Sequence, residues 1–186
     1  MRKNFGAKPY LYPMPVLIIA TYNADGTLNA MNAAWGCAAD MDKICIFVAA
    51  EHKTMENILA RKAFTVSMAT AEQMVAADYV GIVSGNDRTD KMNRTGWHAT
   101  KSEFVNAPLI DELPMALECE LLSYDTESEM LIGRIVNVCA EESILDEKGR
   151  IDAGKLNPIT YDSARHAYLT LGEKVGNAFK DGNQLK

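Results

Sequence analysis

The chain has 186 residues, 48% of them hydrophobic and 24% charged, the balance of a globular protein long enough to bury a core unaided. Nineteen Lys and Arg against 25 Asp and Glu leave a formal charge of −6, with no general attraction for nucleic acid or an anionic membrane. An anionic ligand therefore needs a local basic pocket. No apolar run approaches the ~18 residues of a membrane span. Pro9, Pro13 and Pro15 interrupt the continuous apolar stretch that a signal peptide needs. A cytoplasmic protein folding as one domain over residues 1–186 is expected.

The first element is a β-rich run, Val16–Tyr22. Asn23-Ala24-Asp25-Gly26 supplies turn chemistry, and a second strand over Thr27–Ala34 completes a hairpin. Ile44–Ala49 reads as a third strand. Phe64–Ala69 reads as a fourth, half-buried, with Phe64, Val66 and Met68 alternating against Thr65 and Ser67. Two helices interrupt these strands. One spans Thr54–Arg61, with Thr54 as cap and Met55, Ile58 and Leu59 on one face. The other spans Ala71–Val83, with Val75, Tyr79, Ile82 and Val83 as its apolar stripe, and Gly85-Asn86 stops it.

A polar loop covers Asn86–His98. Met115–Leu121 then alternates, with Met115, Leu117, Cys119 and Leu121 inward and Glu118 and Glu120 outward. Glu129–Glu141 is apolar on both faces, as in a central strand or one at a subunit interface. A turn at Asp146–Arg150 and a short element near Ala167–Leu171 close the pattern. Strands outnumber helices without βαβ alternation. The fold class is mainly β with helical insertions, an antiparallel barrel.

Several chemistries lack their signatures. There is no G-x-G-x-x-G after a strand, no Walker loop, no G-x-S-x-G and no H-E-x-x-H. His52, His98 and His166 lie far apart, and Cys37, Cys45, Cys119 and Cys139 form no C-x-x-C pair, so no metal site is expected. Cys45, Cys119 and Cys139 read as small buried hydrophobes. Cys37 reads as the accessible thiol.

Four segments carry candidate chemistry. His52–Ile58 joins a strand to a helix N-terminus, where free N–H groups, Lys53 and Thr54 suit a phosphate ester. A plain helix cap with a solvated lysine has the same residues. Asn29–Trp35 is a strand with two asparagines and one indole among residues of little bulk. Such a strand suits a flat heteroaromatic ligand, or packs beneath a helix. Ser84–Lys91 is a polar loop whose Arg88 or Lys91 can reach a phosphate, or a solvated charge run. Tyr161, near the tail, can stack on a planar ligand or pack on the barrel.

Taken in order, these segments resemble the flavin reductase-like family with the FMN-binding split-barrel fold, most of all its flavoredoxin branch. The match runs from Pro13-Met14-Pro15-Val16 to Leu171-Gly172-Glu173. Between them lie the Asn29–Trp35 strand, Lys53-Thr54-x-x-Asn57-Ile58, Ser84-Gly85 with Lys91, and Ile132-Gly133-Arg134-Ile135. The resemblance implies a Greek-key-type split β-barrel and non-covalent FMN near the interface of a homodimer. It places Asn29, Met31, Asn32, Ala33 and Trp35 along the isoalloxazine and ribityl group. Lys53, Thr54 and Asn57 would hold the phosphate, Lys91 would close the phosphate or ribityl side, and Tyr161 would cover the ring.

The implied activity is a flavin-dependent oxidoreductase with no assigned catalytic acid or base. NAD(P)H-using members often carry a His shortly before the glycine matching Gly133. Here the stretch reads Glu127-Ser128-Glu129-Met130-Leu131-Ile132-Gly133, without one. Two expectations follow: an oxidoreductase reduced by NAD(P)H, or an electron-transfer flavoprotein reduced by a redox protein partner. A flavin-free binding module is the third.

Overall fold

The computed structural model describes residues 1–186. Seven strands form one antiparallel sheet, curled as a split barrel. They are β1 (Leu17–Tyr22), β2 (Leu28–Ala33), β3 (Gly36–Asp40), β4 (Lys43–Phe47), β5 (Ala63–Met68), β8 (Met115–Asp125) and β9 (Met130–Ala140). Their order is β2-β1-β5-β8-β9-β4-β3. Consecutive strands β2 and β3 are thus the two edges of the sheet, and the link Ala34-Trp35 crosses the split between them. Two small antiparallel pairs flank the sheet: β6 (Ala99–Lys101) with β7 (Pro108–Ile110), and β10 (Ile159–Asp162) with β11 (Ala167–Thr170). The helices are α1 (Lys53–Arg61), α2 (Met74–Ile82) and the single turn α3 (Ala153–Leu156).

Strand β1 separates two cores. Leu17 and Ile19 join Ile44, Ile46, Phe64, Val66 and Leu131 on one face, closed by Met55 and Ile58 of α1. Val16, Ile18 and Ala20 join Ala77 and Val80 of α2, Trp97, Ile110 and Ile159 on the other. A period-2 pattern with both phases apolar is what a central strand requires. Gly133 serves the first core: a Cβ there would lie 2.5 Å from Phe64 Cζ.

Several expected details differ. Strand β5 is buried on both faces, including Thr65 and Ser67, because β1 and β8 flank it and β7 lies over it; Thr65 Oγ1 donates to Pro108 O at 2.6 Å. Glu118 is buried although it lies on the face opposite Leu117, Cys119 and Leu121, because the β6–β7 segment covers that face; Asn137 Nδ2 (2.6 Å) and Ser102 Oγ donate to its carboxylate. Helix α2 starts at Met74 rather than Ala71, since Gln73 N bonds to Thr70 Oγ1 in a turn. It ends at Ile82, before Gly85, where Val83 is already extended. Its stripe is also displaced: Ala77 and Val80 are buried, whereas Val75 and Ile82 are 74% exposed. Apolar residues surround this helix, so periodicity could not choose a face, and the small Ala77 permits the close approach to β2. On α1, Leu59 is exposed while Met55 and Ile58 are buried. Strand β3, the β6–β7 pair and β10 carried no distinct sequence signal.

Candidate functional site

Two depressions adjoin along β2. The first, about 440 Å³, opens at the split and is mostly apolar. Met31, Asn32, Ala33, Ala34 and Trp35 form one wall; Phe47 and Val48 of the β4 end, Gly81 and Ile82 of α2, and Tyr161 and Tyr168 of the β10–β11 hairpin form the others. The second, about 350 Å³, is polar and includes Asn29, Lys53, Gly85, Asn86, Arg88 and Lys91. The lining therefore changes from polar to apolar between Asn29 and Met31. Edge strands direct alternate N–H and C=O groups away from their one neighbour, so β2 offers backbone donors and acceptors along this path.

Local packing sets each side chain. Asn32 Nδ2 donates to Ala77 O of α2 at 2.9 Å, which fixes its amide against the helix. That contact requires Gly81, where a Cβ would come within 2.3 Å of the Asn32 amide. Gly85 serves Asn29 likewise, its would-be Cβ lying 2.6 Å from Asn29 Oδ1. Trp35 is 50% exposed, and Phe47 N bonds to Trp35 O at 2.9 Å, so both aromatics sit at the same end of the sheet.

The expected phosphate group divides in two. Thr54 and Asn57 are buried beneath the polar depression rather than lining it. Thr54 is not the cap of α1; His52 holds that position without a side-chain bond. Asn29 Nδ2 donates to Thr54 Oγ1 at 2.8 Å and to Thr21 Oγ1 at 3.3 Å. Asn57 Nδ2 donates to Thr21 Oγ1 at 3.1 Å and to Asn23 Oδ1 at 3.0 Å. This network locks α1 to the β1–β2 hairpin, and Asn23 and Asn29 carry it to the polar depression.

The cations differ sharply. Lys53 Nζ meets Glu56 Oε1 at 2.7 Å, and Arg88 is bound to Asp90, so both charges are shared with carboxylates. Lys91 is only 4% exposed and has no carboxylate partner; its Nζ donates to Val80 O at 2.8 Å. Burial pushes its ammonium down to about 8. An ammonium has three donors, and one is used. A buried, under-coordinated cation beside a polar pocket suits an anionic group.

The hairpin side of the apolar cleft has its own hydrogen bonds. Tyr168 OH donates to Asp78 Oδ1 at 2.7 Å, and burial, aided by this bond, raises the phenol's pKa. Tyr161 OH pairs with His166 Nδ1 at 2.8 Å, and the two tyrosine rings lie 6.1 Å apart. Met31, Asn32, Ala33, Trp35 and Tyr161 thus share the apolar cleft, while Asn29, Lys53 and Lys91 share the polar one. Asp78 and Phe47 were not anticipated, and Tyr168 and His166 fell within the candidate tail segment without an assigned role. They arrive through strand register and helix packing; only the period-2 pattern of Ile44–Phe47 hinted that Phe47 faces away from the core.

Residues 10–167 match the flavin reductase like domain. The chain belongs to that family. Among solved structures, flavoredoxin of Desulfovibrio vulgaris (Miyazaki F) superposes with a TM-score of 0.93 at 33% identity, covering 98% of this chain and 100% of that one. Flavoredoxin from Methanosarcina acetivorans gives 0.89 at 25% identity, with both chains covered completely. An FMN-binding domain of a flavin reductases-like enzyme from Shewanella baltica shares the fold, with a TM-score of 0.78, 20% identity and 88% of each chain covered. A flavin-associated redox role follows from membership in this flavin reductase-like family. No helix is long and apolar enough to cross a membrane, and no cluster of His, Cys, Asp and Glu is placed to hold a metal ion.

Proposed function

We propose that the chain binds FMN non-covalently along the joined depressions and moves electrons through it as a flavoredoxin-like oxidoreductase. The change in lining along β2, from a buried cation and amides to aromatic walls, carries this reading. It matches a ligand with a phosphate at one end and a flat heteroaromatic system at the other. Lys91 supplies the uncompensated charge for the phosphate, with Lys53 and the Asn29 amide beside it. Thr54 and Asn57 act from beneath, holding Asn29 in place. Met31, Asn32 and Ala33 leave room for a flat ring against the β2 edge, between Trp35 and Tyr161.

When bound, FMN supplies a redox centre able to exchange one or two electrons. The protein's own part is to orient it, to shield one side from water with Trp35, Phe47 and Tyr161, and to present oriented β2 donors to its polar edge. The purified protein should be yellow. FMN should bind far more tightly than riboflavin, which lacks the phosphate; equal affinities would sink the assignment of the polar pocket.

One observation favours a protein partner over NAD(P)H as the electron source. The β8–β9 tip reaches the cleft, with Met130 paired to Phe47 and Val48 N bonded to Glu129 O at 2.9 Å. Glu127 and Glu129 put negative charge there, which repels the phosphates of a dinucleotide. Addition of NADPH under anaerobic conditions should leave the flavin absorbance unbleached, while a low-potential redox protein should bleach it. Rapid bleaching by NADPH would overturn this choice of donor.

The functional unit is further proposed to be a homodimer, with the cleft near the subunit interface. The exposure of Trp35, Phe47, Leu122, Val136 and Val138 supports it, since a monomer rarely leaves so many large apolar side chains in water.

A further inference from the structure

The C-terminal arm after β11 touches almost nothing of its own chain. Every residue from Leu171 to Lys180 is exposed, and Val175, Phe179 and Leu185 are wholly in solvent. The arm nevertheless has a defined course. Asn177 N donates to Asp181 Oδ2 at 2.7 Å, and a 3₁₀ turn covers Asp181–Leu185. An apolar, shaped arm without a seat implies a surface elsewhere that receives it.

The total area points the same way. The chain exposes 11661 Å². A compact monomer of its 20.5 kDa exposes about 8,900 Å². The excess, about 2,800 Å² per chain, is more than the roughly 1,000–2,500 Å² per partner that an obligate homodimer interface removes, so the extended termini carry part of it. Both termini and the uncovered faces contribute to it.

One face suits the arm. Helix α2 carries Met74, Val75 and Ile82 toward solvent although its residues are apolar all round, a pattern normally found in buried helices. Val75 and Ile82 lie two turns apart, about 10 Å. Val175 and Phe179 are four residues apart, at most about 13 Å if extended, and the turn at 178–180 shortens that span toward the Val75–Ile82 spacing. Ile82 also lines the apolar cleft, so whatever covers α2 also narrows the cleft mouth. Charge agrees. The arm from Gly172 onward holds three lysines against Glu173 and Asp181, while the remaining chain has 16 basic and 23 acidic side chains. Helix α2 has no basic residue, carries Asp78 and follows Glu72.

We propose that residues 171–186 of one copy dock across α2 of a second copy, with Val175 and Phe179 covering Val75 and Ile82, so that each cleft is completed by the other chain. This rests on the homodimer reading above. The arm then acts as a clasp that strengthens the dimer and restricts entry to the cleft.

The test uses full-length protein. Sedimentation equilibrium compares the wild type with a Val175→Asp/Phe179→Asp variant, both changes lying at fully solvent-exposed positions. The wild type should be dimeric at micromolar concentration, and the variant's dimer dissociation constant should rise at least about tenfold, the worth of one buried apolar side chain. In parallel, light and ¹⁵N-labelled wild type are dissociated in urea, refolded together and cross-linked with a carbodiimide. Lys174 or Lys180 should join Glu72 in mixed-isotope pairs. Unchanged dimerisation of the variant, or cross-links only within single-isotope chains, would overturn the clasp while leaving the homodimer intact. A monomeric wild type would overturn both. A clasped dimer that binds no FMN would refute the cofactor reading alone.

Discussion

Lys91 puts the proposed anion pocket in measurable conflict with stability. Burial lowers its pKa from 10.5 to about 8, so folding disfavours the ammonium. For a group with a depressed folded pKa, stability is fully present above the unfolded value and lost as pH falls through the folded one. The penalty is therefore absent above pH 10.5 and complete below pH 8. Two and a half pH units amount to about 3 kcal/mol at pH 7. Replacing Lys91 by Met removes that penalty but leaves Val80 O, one of the last carbonyls of α2, without its donor, a loss of about 1 kcal/mol. The apo form of Lys91→Met should thus be about 2 kcal/mol more stable than wild type at pH 7. The advantage should shrink to near zero by about pH 9.5, where the folded lysine is already neutral. Binding should move the other way. Loss of a charge-assisted hydrogen bond costs about 1.5–3 kcal/mol, roughly 10- to 100-fold in FMN affinity, with riboflavin little changed. Urea denaturation of apoprotein at the two pH values, with fluorescence titration of both ligands, measures all four quantities. A variant less stable than wild type at pH 7, or one that loses riboflavin as severely as FMN, would refute the buried-cation account.

Three further outcomes follow from the geometry. Lys53→Ala should weaken FMN by less than Lys91→Met, about threefold, because Glu56 already shares the Lys53 charge and the pair is partly exposed; calorimetric titration of both variants ranks them. Gly81→Ala should drive Asn32 off Ala77 O and cost about 1–3 kcal/mol of stability, with a smaller cleft seen as weaker binding of both FMN and riboflavin. Trp35→Ala should leave thermal stability within about 0.5 kcal/mol, since the indole is half exposed, yet weaken FMN and riboflavin equally by about tenfold through the lost aromatic wall.

How far each element was readable depended on whether its signal was local. The β1–β2 hairpin announces itself by Asp25-Gly26 between apolar runs, and Gly26 indeed takes a positive φ of 86°. Strand β3, Gly36-Cys37-Ala38-Ala39-Asp40, has no such mark, because it is an edge held by one neighbour and exposed along most of its length. Glu118 reads as solvent-facing, and it does lie opposite Leu117 and Cys119, but the β6–β7 segment covers that face and buries it, so Ser102 and Asn137 meet it from distant parts of the chain. Lys91 reads as one charge in a solvated loop. Only the packing of that loop under the end of α2 buries it, and burial is what separates it from Lys53 and Arg88.

The acidic composition and the apolar β-rich runs by themselves determined a mainly β protein in which any anionic ligand needs local cations. The unusual make-up of Asn29–Trp35 was also legible, because small residues, amides and an indole are properties of the residues themselves. The tertiary structure decided which groups face the site. It sent Thr54 and Asn57 into a buried network and left Asn29 at the surface of that network. It also brought Phe47, Tyr161 and Tyr168 to a cleft at the split between β2 and β3. The physical reason is that burial, hydrogen-bond partnership and pKa are set by neighbours remote in the chain. A net charge of −6 says that cations are needed; only the fold says that Lys91 is the one left without a carboxylate.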